Sequence, residues 1–180
     1  MDNREKIKGR SLSLRRSVIL SALCAAAMVL SYIESLIPPL VAIPGVKLGL
    51  ANTVSVFALY SLDKRAAVCV SALRVSLSAL LFGNAVGFIY SLSGAALSLL
   101  CMILISKLRV FSVIGVSIAS AVAHNVGQVI AAAIVMSTWG VLLYIAPLLV
   151  SGSLAGAAVG ALGGALITKI RKPLRAYIEK

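Results

Sequence analysis

Acidic residues are scarce in this chain. It has five among 180 residues, and they are widely separated: Asp2, Glu5, Glu34, Asp63 and Glu179. This scatter leaves no pair of carboxylates for a two-metal site, and no aspartate lies in an apolar run to complete a Ser/His/Asp set. The chain also lacks a GxxxxGK[ST] motif, so it has no P-loop for ATP. These absences argue against hydrolases and phosphotransferases, and we predict that the chain is not an enzyme.

Residues that bind metals are equally few. His124 is the only histidine, and it has no Cys, Asp or Glu at ligand spacing. The three cysteines, Cys24, Cys69 and Cys101, lie in separate apolar runs without a CxxC motif. We interpret them as small buried hydrophobic residues. The sequence therefore predicts neither a metal site nor a cofactor.

Apolar residues dominate what remains. They make up 61% of the chain, charged residues only 12%, and the mean hydropathy is +1.06. A soluble domain is about half apolar, so we predict an all-α, polytopic membrane protein with six transmembrane helices. The predicted organisation is a basic N-terminal segment (1–16), a membrane domain (17–168) and a basic tail (169–180). The predicted spans are about 17–37, 47–62, 66–82, 85–106 and 111–138, and a sixth that starts at Val141 or after Pro147 and ends near Thr168.

The net charge of +12 is explained by topology. Of the 17 basic residues, all but Lys47 and Arg74 fall in segments that lie on one side of a six-span bundle. By the positive-inside rule that side is cytoplasmic, which places both termini in the cytoplasm of a plasma-membrane protein. Clusters of this kind favour the anionic lipid bilayer as their partner, and we predict no nucleic acid.

One basic and one acidic residue lie well inside predicted spans. Arg74 is near the middle of the third span, where an arginine costs about 2.5–3.5 kcal/mol on insertion scales. Glu34 is the only acid within a span. Arg74 could hold an anionic ligand in a pocket, or it could pair with Glu34 and lock two helices together; both hypotheses stay open.

The fifth span carries a polar stripe. Ser117, Ser120, His124 and Gln128 recur at spacings of three or four residues and share one face, with Asn125 beside it. They are candidates for substrate contact. The alternative is hydrogen bonding between helices.

Three further candidates lie near the outer ends of the spans: Lys47, Asn52 and Asn84. Lys47 could be an ordinary interfacial lysine, but the Pro44–Leu50 segment is typical of a loop that caps a pocket. Together with Arg74, Lys47 would favour a substrate with an anionic end, although Glu34 would offset one charge.

Two patterns of small residues concern helix packing. Gly152, Gly156, Gly160 and Gly164 form three consecutive GxxxG steps on the last span, and Ala22 and Ala26 are spaced by four on the first. Small residues let helices approach closely in lipid. The glycine pattern predicts internal packing without naming the partner helix.

Several segments together resemble a known family. They are Ala22-x-x-x-Ala26, Pro44–Thr53, Phe82–Phe88, Ser93–Ala95 and Ala123–Gln128. They resemble the Gx transporter family, also labelled heptaprenyl diphosphate synthase component I, and more broadly the substrate-binding (S) components of energy-coupling-factor (ECF) transporters.

The resemblance implies a six-helix S-component-like bundle that captures a small molecule near the outer face. It also implies partners, namely a membrane coupling protein and two cytoplasmic ATPases, with Ala22 and Ala26 docking on the coupling protein. The synthase label is the competing hypothesis. Prenyl diphosphate synthases need DDxxD motifs to hold Mg²⁺, and this chain has none, so the label would fit only a non-catalytic membrane subunit.

Overall fold

The computed structural model of this chain describes residues 3–36, 49–108 and 110–179. Within these ranges the chain forms helices and no strand, as the all-α prediction requires. The helices are α1 (Asn3–Leu36), α2 (Asn52–Ser61), α3 (Lys64–Phe82), α4 (Ala85–Lys107), α5 (Val113–Val135), a 3₁₀ helix (Trp139–Tyr144) and α6 (Ile145–Glu179).

Short polar side chains cap the N-termini of three of these helices. Asp63 accepts the Ala66 N–H at 2.7 Å at the start of α3, and Asn84 accepts the Gly87 N–H at 2.7 Å at the start of α4. Ser112 caps α5 in the same way. Each side chain satisfies a backbone donor that the helix itself leaves unpaired. The polar turns between apolar runs therefore set where these helices begin.

Among the described residues, five helical segments are long and apolar enough to cross a membrane. The exception is α2, whose ten residues reach only about 15 Å, half of the roughly 30 Å hydrocarbon core. Residues 37–48, which include the first part of the predicted second span, lie outside the described residues. The count of six spans therefore stays a prediction.

The ends of the longest helices differ from the predictions. α1 starts at Asn3 and α6 runs to Glu179, so both basic terminal segments are largely helical. α6 starts at Ile145, which is neither of the two predicted starts. Pro147 falls in its first turn, where a proline does not remove an intrahelical hydrogen bond.

Both chain ends and the α2–α3 turn meet at one end of the bundle, here called the basic end. Arg15 donates to the Tyr177 carbonyl at 3.0 Å and lies 5.4 Å from the centre of the Tyr177 ring. Arg16 pairs with Asp63. Partial burial raises the pKa of Asp63, but the Ala66 N–H and Arg16 lower it more, so the net pKa lies below its ordinary value. The cytoplasmic placement of this end remains a prediction.

Glycines allow α5 to pack closely between α4 and α6. A Cβ on Gly127 of α5 would lie 2.7 Å from the Ser93 carbonyl oxygen of α4, and one on Gly94 would lie 2.9 Å from the His124 carbonyl oxygen. Both distances are below van der Waals contact. The segments Ser93–Ala95 and Ala123–Gln128 are thus packed directly against each other.

The glycine ridge of α6 also faces α5. A Cβ on Gly156 would lie 2.8 Å from the Ile118 Cα, and one on Gly160 would lie 2.7 Å from the Ile114 Cα. Gly152 meets the Asn125 side chain. Gly164 has no atom within 4 Å of its Cβ direction, so the close contact ends before the last glycine of the pattern.

The contrast between Gly156, which contacts α5, and Gly164, which has open space beside it, provides a matched pair of variants. We expect Gly156→Ala to lower the free energy of unfolding by about 1–3 kcal/mol, because its methyl group forces two backbones apart. Gly164→Ala should cause no loss, since the same methyl group enters open space. Thermal unfolding in detergent would check both variants. Equal stabilities would contradict the glycine contact between α5 and α6.

Candidate substrate-binding site

Arg74 lies inside the bundle, where α1, α2 and α3 meet. It is only 4% exposed, and its position ten residues along α3 places it about 15 Å from the basic end. Its Nη1 lies 3.5 Å from the Ser31 hydroxyl oxygen and its Nη2 lies 3.4 Å from the Asn52 Oδ1. These long hydrogen bonds link one buried cation to all three helices.

Glu34 connects the same region to the start of α2. Its carboxylate accepts the N–H of Gly49 and, at 3.4 Å, the N–H of Leu50. Gly49 has a φ of +83°, a conformation that favours glycine. Glu34 is 5% exposed and also attracts Arg74 electrostatically. It therefore places a negative charge near the buried cation and holds the chain just before α2.

His124 brings α5 to this group. A Cβ on Gly49 would lie 3.1 Å from the Asn52 Nδ2 and 3.7 Å from the His124 Cδ2, so both side chains surround the same glycine. On its other side, His124 lies beside Gly94 of α4, as does Gln128. Both α5 side chains are buried. We call the set Ser31, Glu34, Asn52, Arg74 and His124 the polar cluster.

Two donors of the polar cluster lack acceptors. The Arg74 Nε and the Asn52 Nδ2 are fully buried, and neither has a hydrogen-bond partner among the described residues. A buried donor without a partner costs about 1–3 kcal/mol, more when it is charged. The two groups belong to side chains that already touch each other. Acceptor oxygens such as those of a carboxylate or phosphate would satisfy both donors.

The other predicted site residues lie elsewhere. Asn84 is exposed and caps α4, outside the polar cluster. The Asn125 Nδ2 donates to the Leu148 carbonyl of α6 at 2.7 Å, so this side chain links two helices. Ser117 and Ser120 are buried in α5, and the Ser120 hydroxyl donates to the Ser117 carbonyl. Lys47 lies outside the described residues.

The sequence interpretation missed Ser31 and the backbone of Gly49 and Leu50. Ser31 is three residues before Glu34, so it lies on the same face of α1, and that spacing could have identified it. It is 1% exposed. Backbone donors carry no signal in the side-chain pattern. The positive φ of Gly49 could not be read from a single sequence.

These features define a multi-pass helical membrane protein with a polar cluster buried in its bundle. The described residues hold no group of three or more His, Cys, Asp or Glu side chains placed to bind a metal ion. The chain belongs to the family described as heptaprenyl diphosphate synthase component I, whose model matches residues 23–166. The match includes every residue of the polar cluster. Comparison with the curated proteins gave no match, and comparison with the solved structures gave none either.

A double-mutant cycle can measure whether Arg74 and Glu34 stabilise each other in the polar cluster. Arg74→Met alone should lower the free energy of unfolding by about 3–5 kcal/mol, because it removes the buried positive charge that attracts Glu34. Glu34→Gln alone should also destabilise the protein. The double variant should recover part of the loss, since no unbalanced charge remains. Reversible unfolding in mixed detergent micelles would measure the cycle. Strictly additive losses would show that Glu34 and Arg74 do not interact.

Proposed function

We propose that this protein is the membrane-embedded substrate-binding component of an ECF-type uptake transporter in the plasma membrane. It would capture a small anionic or isoprenoid-like molecule from the outer face. The observation that carries the proposal is the pair of buried donors, Arg74 Nε and Asn52 Nδ2, that have no acceptor among the described residues.

The class of substrate follows from the charges and the surroundings. Arg74 is a buried cation that Glu34 partly neutralises, so the cluster would accept one weakly or singly charged group rather than a polyanion. Two donors from different helices favour an acceptor group with at least two oxygens. Apolar side chains such as Val54 and Val70 pack nearby in the same three-helix region. A small molecule with one anionic end and an apolar body fits this arrangement.

The proposed partners follow from what the chain lacks and from what it exposes. With no P-loop, energy for uptake would have to come from other subunits: a membrane coupling protein and two cytoplasmic ATPases. Ala22 and Ala26 are both exposed on α1. Val18 and Val29, also on α1, are 62% and 57% exposed. Small exposed residues on a membrane helix allow close approach of another helix, which supports docking of the coupling protein here.

The second candidate is a non-catalytic membrane subunit in prenyl diphosphate synthesis. The family description favours it directly, because it names a synthase component. The chain's two aspartates lie in no DDxxD motif, so catalysis would belong to another subunit. The polar cluster would then hold the anionic end of a lipid precursor. The two candidates differ in their partners more than in their ligands.

One experiment separates these hypotheses. Tagged protein is extracted from its own membranes in mild detergent, and native mass spectrometry identifies bound small molecules and partner subunits. We expect a bound small molecule together with a membrane subunit and two ATPases. Arg74→Lys keeps the buried charge but loses the planar donor group, so it should lose the ligand and keep the partners. Ala26→Leu should do the reverse, because its larger side chain blocks close helix approach.

Asn84→Ala is the matched control for ligand binding, since Asn84 lies outside the polar cluster. It should retain both ligand and partners. Recovery of a soluble prenyl synthase without ATPases would favour the second candidate. Wild-type protein that carries no small molecule at any stage of purification would contradict both.

A further inference from the structure

A second polar region lies at the basic end, about 15 Å from the polar cluster along the ten residues of α2. It is an open cavity of about 690 Å³ between the start of α3, the ends of α2 and α4, and both terminal helices. Its charged lining comes from Arg16, Asp63, Lys64, Arg65, Arg171 and Arg175. Five cations thus face one carboxylate.

The single acid does not balance these cations. Asp63 is paired with Arg16, so four positive side chains from α3 and α6 have no carboxylate in the cavity lining. The positive-inside rule explains why basic residues occur at this end. It does not explain why those from separate helices converge on one concave surface, since charges that only set orientation gain by staying apart.

A buried hydroxyl lies beside the cavity. A smaller adjoining cavity of about 210 Å³ shares Arg16, Asp63 and Arg175 with the first and is also lined by Ser61. Ser61 is 1% exposed, and its hydroxyl has no hydrogen-bond partner in the described part of the chain. The Arg175 Nε donates to the Ser61 carbonyl oxygen at 3.5 Å, which holds the guanidinium beside the end of α2.

From this convergence we infer that the cavity at the basic end binds a phosphate or diphosphate group. Guanidinium groups donate to phosphate oxygens in pairs, and lysines add charge. The buried hydroxyl of Ser61 adds a neutral donor in the adjoining cavity. The volume lies within the roughly 300–1,000 Å³ of ligand pockets. The group can belong to the head of an anionic lipid or to a soluble molecule.

The test uses purified full-length protein in nanodiscs of neutral phosphatidylcholine. In one arm, phosphatidylglycerol replaces increasing fractions of the lipid; in the other, inorganic pyrophosphate is added to the buffer. The unfolding temperature is measured in both arms. We expect saturable stabilisation in at least one arm, and the arm that responds identifies the source of the phosphate.

Variants distinguish phosphate binding at this cavity from nonspecific electrostatic attraction to the basic end. Arg171→Gln with Arg175→Gln removes two cavity side chains and should weaken the apparent affinity by about tenfold or more. Lys169→Gln with Lys172→Gln removes the same charge from the same helix, but neither side chain lines the cavity; its affinity should change little. If the arginine variant does not fold, Lys64→Gln with Arg65→Gln applies the same test from α3.

Three outcomes would overturn the inference: no stabilisation in either arm, stabilisation that never saturates, or equal losses in the cavity and control variants. Because the isolated protein is used, the result does not depend on a coupling protein, on ATPases or on any ligand at the polar cluster. A failure here would therefore leave the proposed transport function standing. Likewise, a failure of the proposed transport function would leave the phosphate site standing.

Discussion

The buried guanidinium of Arg74 is the constraint on which the arrangement of the first three helices depends. An arginine at the centre of a membrane helix is stable only if it faces the protein interior and finds acceptors there. Ser31 and Asn52 supply two, and Glu34 supplies the opposing charge. α1 and α2 must therefore be held against the middle of α3. This requirement brings Glu34 close enough to fix the backbone at Gly49, three residues before the short helix α2 begins.

The second half of the bundle meets this cluster through close packing and not through charge. Glycines on α4, α5 and α6 let three backbones approach more closely than side chains would allow. That approach places His124 between Gly49 and Gly94, which joins α5 to the cluster. The two ends of α2 then have different environments. Asn52 faces the cluster, and Ser61 lines the small cavity that adjoins the cation-lined one at the basic end.

Most helix boundaries could be predicted from the sequence, because long apolar runs end at polar turns with clear capping residues. The apolar runs that form α3 and α4 are examples. The position of α2 could not be predicted fully, since it depends on Glu34 accepting backbone donors from a distant segment. Similarly, the glycine spacing on α6 indicated close packing but not its partner, nor that Gly164 has no contact. A helix-capping amide and a ligand-binding amide look alike in a sequence, so the cap that Asn84 forms on α4 could not be distinguished in advance.

In the proposed function a ligand would bind the Arg74 Nε and the Asn52 Nδ2, which have no acceptor among the described residues. The most direct test is an experimental structure, by cryo-electron microscopy with a bound antibody fragment, of protein extracted with its native ligand. If a ligand binds there, the map will show density that is not protein, with acceptor atoms within about 3.2 Å of the Arg74 Nε and the Asn52 Nδ2. A cluster whose donors are satisfied by the protein itself, with no added density, would contradict it.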